Sequence, residues 1–128
     1  MISFFAEGKA IPQGSMKFIR PGVMIHSRAA ELASWRALVA YRAKEAGCHP
    51  IENPIAIKLR FQMPKPKTVK RTYPTVAPDL DKLIRGVLDG LTGIAYIDDA
   101  QVVRITAEKV YASPIGVHIE ITDGFDAL

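Results

Sequence analysis

Two short acidic segments carry the residues that could do chemistry: Asp79-Leu80-Asp81, followed by Lys82 and Arg85, and Asp98-Asp99, followed by Gln101. Carboxylates are hard oxygen donors. A group formed by Asp79, Asp81 and Asp99 would therefore suit Mg²⁺, with Mn²⁺ as a substitute and waters completing an octahedral shell. Crowded without a cation, the same three groups would repel and raise one another's pKa. On a basic chain such a centre points to phosphate esters, because a divalent ion polarises a phosphoryl oxygen, lowers the pKa of a water and stabilises charge on the leaving oxygen. Lys82 and Arg85 would add fixed positive charge at the transition state. Two structural roles compete with this reading. Asp79 and Asp81 fall in the first turn of an expected helix, where acids complement the helix dipole whatever the function. Asp81, Arg85 and Asp89 also share one row at i, i+4 and i+8, the spacing of an ion-pair ladder.

Positioning makes a demand on the fold. The helix expected over residues 79–92 carries Leu80, Leu83, Ile84, Val87, Leu88 and Leu91 as a core-facing stripe. Its length of about 20 Å must be crossed by the returning chain if Asp99 is to meet Asp79 and Asp81, and spacing alone leaves that open. A first helix is expected over 28–46, capped by Ser27 and ended by Gly47 and Pro50, with Leu32, Trp35, Leu38 and Val39 at helical spacing. Trp35 lies on its apolar side, as core or dimer interface. Strands are expected at 2–7, 55–63, 102–111 and 115–122, where apolar residues alternate at period two, with a hairpin at 16–26 around Pro21-Gly22. Strands and helices interleave as β-β-β-α-β-α-β-β. That order predicts one α+β domain over 1–128, a mostly antiparallel or mixed sheet with two main helices on it.

A long connection at residues 64–78, inserted before the second helix, holds four prolines and four cations, Lys65, Lys67, Lys70 and Arg71, without an acid. A loop of this length in a compact domain is a mobile solvated segment or a functional one; here the functional role is a cationic arm for an anionic polymer. Lys17, Arg20 and Arg28 around the hairpin are further candidates for phosphate contact. Tyr73 in the loop is placed to stack on an unpaired base, or to sit simply as a surface tyrosine.

The run Asp79-Leu80-Asp81-Lys82-Leu83-Ile84-Arg85-Gly86-Val87-Leu88-Asp89-Gly90-Leu91, followed by Tyr96-Ile97-Asp98-Asp99-Ala100-Gln101-Val102-Val103, resembles the core signature of the RusA family of Holliday junction resolvases. That signature is a D-x-D-N-x-x-K helix start, a D-A-L segment and D-D-x-Q-[VI]. The resemblance implies a RusA-like fold and a Mg²⁺-dependent endodeoxyribonuclease. Such an enzyme acts as a homodimer in DNA recombination and repair, resolving four-way junctions by paired symmetric nicks. It puts the metal-binding aspartates at Asp79, Asp81 and Asp99, with Asp98 as a helper, and the catalytic lysine at Arg85. Arginine keeps the charge but cannot give up its proton, so a proton-transfer role is excluded at that position. The family's asparagine is replaced by Lys82; either Lys82 takes over part of the lysine's role or the residues around the site are rearranged. A dimer also follows from symmetry, since two matching nicks on a two-fold junction need two sites and this chain has material for one.

Composition bounds the alternatives. The chain has 128 residues, 48% of them apolar, one cysteine and three scattered histidines. This suffices for a core without disulfides, and no Cys/His spacing resembles a zinc site. No apolar run approaches the ~18 residues of a membrane span, and the first residues lack a secretory pattern, so a cytoplasmic location is expected. The net charge of +4 hides an asymmetry: residues 1–78 carry 13 basic and 4 acidic groups, residues 79–128 carry 4 basic and 9 acidic ones. The first part suits DNA phosphates and the second a metal. Two rival functions remain: a branched-DNA-binding module without catalysis, and a phosphohydrolase of small nucleotides, which lacks a Gly-rich phosphate cradle.

Overall fold

In the computed structural model, residues 1–14, 16–20, 23–26 and 29–124 are described, with 16–20 and 23–26 as backbone alone. The element order is β1 (Ile2–Glu7), β2 (Met16–Arg20), β3 (Val23–His26), α1 (Ala29–Glu45), β4 (Ile55–Met63), α2 (Leu80–Leu91), a 3-10 turn (Asp99–Gln101), β5 (Val102–Tyr111) and β6 (Gly116–Asp123). This is the expected α+β order, with element ends within a residue or two. Pro21-Gly22, the Ser27 cap, Arg28 and the Lys17 and Arg20 side chains lie outside the described residues; β2 and β3 pair antiparallel.

Four strands form one sheet in the order β1-β6-β4-β5. Period two in β4 is explained by its central place. Ile55, Ile57, Leu59 and Phe61 are buried beneath the helices, whereas Lys58 and Arg60 face solvent and pair with Glu120 and Glu108, each at 3.6 Å. Val117, Ile119 and Ile121 of β6 extend the same apolar face. β6 is antiparallel to β1 and β4, while β5 is parallel to β4, Ile57 opposite Ile105 and Met63 opposite Tyr111. A parallel neighbour requires a crossover, and residues 64–101, with α2 inside them, supply it. β5 is therefore an edge strand. Its alternation holds from Ile105 onward, but the register with β4 shifts at the start of the strand. Val102 lies opposite buried Ile55 and Arg104 opposite Ala56, so Val103, expected on the core side, is the extra residue of a bulge and is 58% exposed, while Ile105 on this edge strand is 41% exposed.

The two helices meet through glycine. A Cβ on Gly90 would lie 3.1 Å from the Arg36 carbonyl oxygen of α1 and 3.3 Å from Val39, and one on Gly86 would lie 2.8 Å from the Ile11 carbonyl oxygen. Glycine costs helix stability, roughly 1 kcal/mol relative to alanine. Here it lets α1 and residues 10–14 approach α2 closely, and Trp35, Leu83, Val87 and Leu91 fill the space around the crossing. Trp35, 4% exposed, belongs to the core.

Candidate active site

Asp79 occupies the N-cap position of α2 with an extended backbone, and its carbonyl accepts from Leu83 N at 3.1 Å. Its side chain makes no capping hydrogen bond, so the capping role open to it in the sequence is not taken up. The ladder is absent too. Asp81 lies 3.8 Å from Lys82 Nζ, Asp89 lies 3.9 Å from Arg36 of α1, and neither pairs with Arg85. Both contacts are long and at least partly open to solvent, the kind worth little to stability. Arg85 is exposed and lies over Gly14, where an added Cβ would come within 2.9 Å of its Nη1. Gln13 N donates to the Lys82 carbonyl at 3.0 Å, so the strand-to-hairpin segment runs along the helix start.

The cationic loop folds back on β5. Lys109 Nζ donates to the carbonyls of Val76 and Pro78, both at 2.9 Å, and Arg71 Nε donates to Tyr111 Oη at 2.9 Å. Lys65, Lys67, Lys70 and Arg71 remain exposed. Tyr73, 60% exposed, presents its ring to solvent. Between the loop, residues 8–12 and the start of α2 lies a cavity of about 580 Å³, whose lining includes Arg71, Asp79, Lys82 and Tyr111. Lys109 and Tyr111 were not singled out as functional from the sequence. The signal for Lys109 was present: a charged residue at a strand position that shares its parity with Ile105 and Ala107.

The second acidic segment is built differently. Asp98 Oδ1 accepts from Ala100 N at 3.0 Å, and Gln101 Oε1 accepts from the backbone N–H groups of Ile97 and Asp98, both at 2.9 Å. This is a capping box on the 3-10 turn. The Gln101 amide also donates to the carbonyls of Ile51 and Asn53, at 2.8 and 3.0 Å, pinning the turn to the segment before β4. Asp98 is thereby engaged in structure. Asp99 is exposed; partial desolvation first, then Asp98, by hydrogen bond and charge, and the charge of Asp89 raise its pKa above the ordinary aspartate value. Below it, buried Tyr96 donates to the Leu88 carbonyl at 2.8 Å, and burial, the largest influence, drives its phenol pKa far upward.

Within one copy the structure does not bring Asp99 to Asp79 and Asp81. α2 runs between them, twelve residues or about 16 Å of rise, with Asp79 and Asp81 at its start and Asp98-Asp99 beyond its end. Among the described residues no three Asp, Glu, His or Cys side chains form a group able to hold a metal. What each end offers is oxygen donors alone, Asp79 and Asp81 at one and Asp99 at the other, a donor chemistry that fits Mg²⁺ or Mn²⁺ and not a softer ion. No helix is long and apolar enough to cross a membrane among the described residues.

An exposed acidic helix start against a cationic loop, and a braced D-D-x-Q turn at the far end, are the arrangement onto which comparison with known proteins falls. The uncharacterized protein YqaN of Bacillus subtilis (strain 168) is 29% identical, across 95% of this chain and 96% of its own length. The family described as endodeoxyribonuclease RusA matches residues 7–122, from the end of β1 through β6 and across both acidic segments. That match takes in nearly the whole fold, and this chain belongs to the RusA endodeoxyribonuclease family.

Proposed function

We propose that this protein is a Mg²⁺-dependent endodeoxyribonuclease that resolves four-way (Holliday) DNA junctions by paired symmetric nicks, acting as a homodimer in recombination and repair. The observation that carries the reading is the uncommitted Asp79 carboxylate lining one cavity with Lys82 and Arg71, beside the exposed Asp81, in a chain of this family. Asp79, Asp81 and Asp99 would hold the metal. Since α2 separates them within one chain, the set is completed by Asp99 of a second copy, its α2 antiparallel to the first so that the start of each helix faces the end of the other. Bound there, Mg²⁺ would supply Lewis-acid charge at the phosphate and lower the pKa of a water so that it could act as nucleophile at neutral pH.

The chain's own residues supply the rest. Lys82, beside Asp81, and Arg85, over Gly14, set positive charge where the phosphate gains negative charge. Arg85 acts by charge and hydrogen bonding alone, because its guanidinium keeps its proton at any working pH. Lys65, Lys67, Lys70 and Arg71 bind the backbone of the junction arms without reading sequence. Lys17 and Arg20 of the hairpin are assigned the same role from their charge.

The test uses a mobile four-way junction with labelled strands, incubated with the full-length protein in Mg²⁺ and in EDTA. Paired nicks in Mg²⁺, with binding alone in EDTA, are expected. Binding in both without nicks would leave a branched-DNA-binding module with no catalysis. A mixture of Asp81→Asn and Asp99→Asn chains tests the shared site: mixed dimers should regain one active site of the two, and a mixture as inactive as either variant would overturn that arrangement.

A further inference from the structure

The cavity beside Asp79 has a chemistry that phosphate binding does not use. Much of its wall is Met63, Pro64, Pro66, Pro74, Pro78 and Ile115, apolar side chains that offer no hydrogen bonds to a sugar-phosphate chain. Tyr111 lines the same space. It is the last residue of β5, with its backbone paired opposite Met63, so the sheet fixes where its ring stands. Two cations attend the ring, Lys65 Nζ at 5.8 Å and the Arg71 guanidinium at 6.0 Å from its centroid. These distances are at the outer limit of a cation–π contact, so another planar group displaces little by entering. Lys9, Arg71 and Lys82 make three cations among the lining residues against the one carboxylate of Asp79. A volume of about 580 Å³ lies in the range of small-molecule sites, roughly 300–1,000 Å³.

An apolar slot with one aromatic ring and a cationic mouth matches a flat heterocycle tied to a phosphate. We propose that this cavity receives one unstacked nucleobase at the branch point, laid against Tyr111, while Arg71 holds its phosphate and Lys82 stays with the adjoining phosphate that is cut. The proposal rests on the junction-resolving reading and deepens it. Bases inside a duplex are costly to extract, whereas bases at a crossover have already lost part of their stacking, so a base slot favours branched over linear DNA. Because Asp79 lines the same cavity, the captured base belongs to a nucleotide beside the one cut. The slot therefore sets which phosphate is presented to the carboxylates.

The test measures affinity in EDTA for an intact four-way junction and for junctions carrying abasic nucleotides at one two-fold-related pair of positions flanking the branch. Wild type, Tyr111→Ala and Tyr111→Phe are compared. For one pair of positions, removing the base should weaken wild-type binding about 5- to 150-fold, the range of one base–aromatic stack. Tyr111→Ala should lose the same factor on the intact junction and nothing further on the abasic one. Tyr111→Phe, which keeps the ring and loses the bond to Arg71, should bind nearly as wild type. The proposal is overturned if no abasic pair weakens wild type, if the two losses multiply, or if Tyr111→Phe falls as far as Tyr111→Ala. The first of these needs no variant, so misfolding cannot hide it. Equal affinity of wild type for intact junction and plain duplex is a different failure, which removes the resolvase reading and this proposal with it.

Discussion

The two ends of α2 are both acidic and are built on opposite plans. At its start, Asp79 makes no capping bond, and Asp81 makes only a 3.8 Å approach to Lys82, with cations and a cavity alongside. Beyond its end, Asp98 closes a capping box and Gln101 makes four hydrogen bonds to backbone, so one aspartate of the pair is used to hold the other in place. The difference is one of commitment. The start spends nothing structural on its carboxylates and leaves them able to bind, while the far end fixes a single exposed carboxylate, Asp99, on a braced turn.

Four substitutions would break or sharpen that contrast. The largest effect is expected for Asp81→Asn, on the order of a hundredfold or more in junction cleavage, with the melting temperature and junction affinity kept, as thermal unfolding and EDTA binding would show. A parallel fall in stability would mean that the helix start is structural after all. Gly86→Ala should cost about 1–3 kcal/mol in urea unfolding, because its methyl group meets the Ile11 backbone oxygen and not a yielding side chain. Gln101→Ala should cost about 1–2 kcal/mol, leaving the Ile97 and Asp98 N–H groups and the Ile51 and Asn53 carbonyls without their partner. An unchanged unfolding curve would remove the distinction between a braced and an open end. Smallest is the effect of Asp99→Asn on stability, measured apart from the loss of cleavage expected of that variant. A carboxyl whose folded pKa is raised is destabilising above that pKa, and the penalty fades as pH falls through it toward the unfolded value. In EDTA the variant should thus melt up to about 2 °C higher than wild type at pH 7 and no higher at pH 3.

Much of this fold was legible from pattern. Ile55, Ile57, Leu59 and Phe61 announce a strand with one buried face, and the Leu83, Val87, Leu91 stripe announces the helix packed on it. Direction was not legible, because period two reads alike in parallel and antiparallel strands. Yet the parallel β4–β5 pair is what sends α2 the full length of the crossover and sets Asp99 at the opposite end from Asp79. The exposure of Val103 was not legible either, since strict alternation cannot show the bulge that pairs Val102 with Ile55 and Arg104 with Ala56 and leaves Val103 between them. At the site, the acidic segments and the cationic loop stood out by residue type. The loop's attachment did not, because Lys109 and Tyr111 meet it from more than thirty residues away in the chain.

That attachment bears on how the protein would respond to ionic strength. Lys109 spends two of its ammonium hydrogens on the Val76 and Pro78 carbonyls, so it is a cation by count and a clasp by use. Counterions are displaced from DNA by charges that reach phosphates, each contributing about −0.9 to the slope of log affinity against log salt concentration. The four exposed cations of the loop would give about −3.6 per copy if each met a phosphate. Lys109 would add nothing to that slope, yet replacing it would free the segment that carries them. Salt titration thereby separates the charges that touch DNA from the charge that aims them.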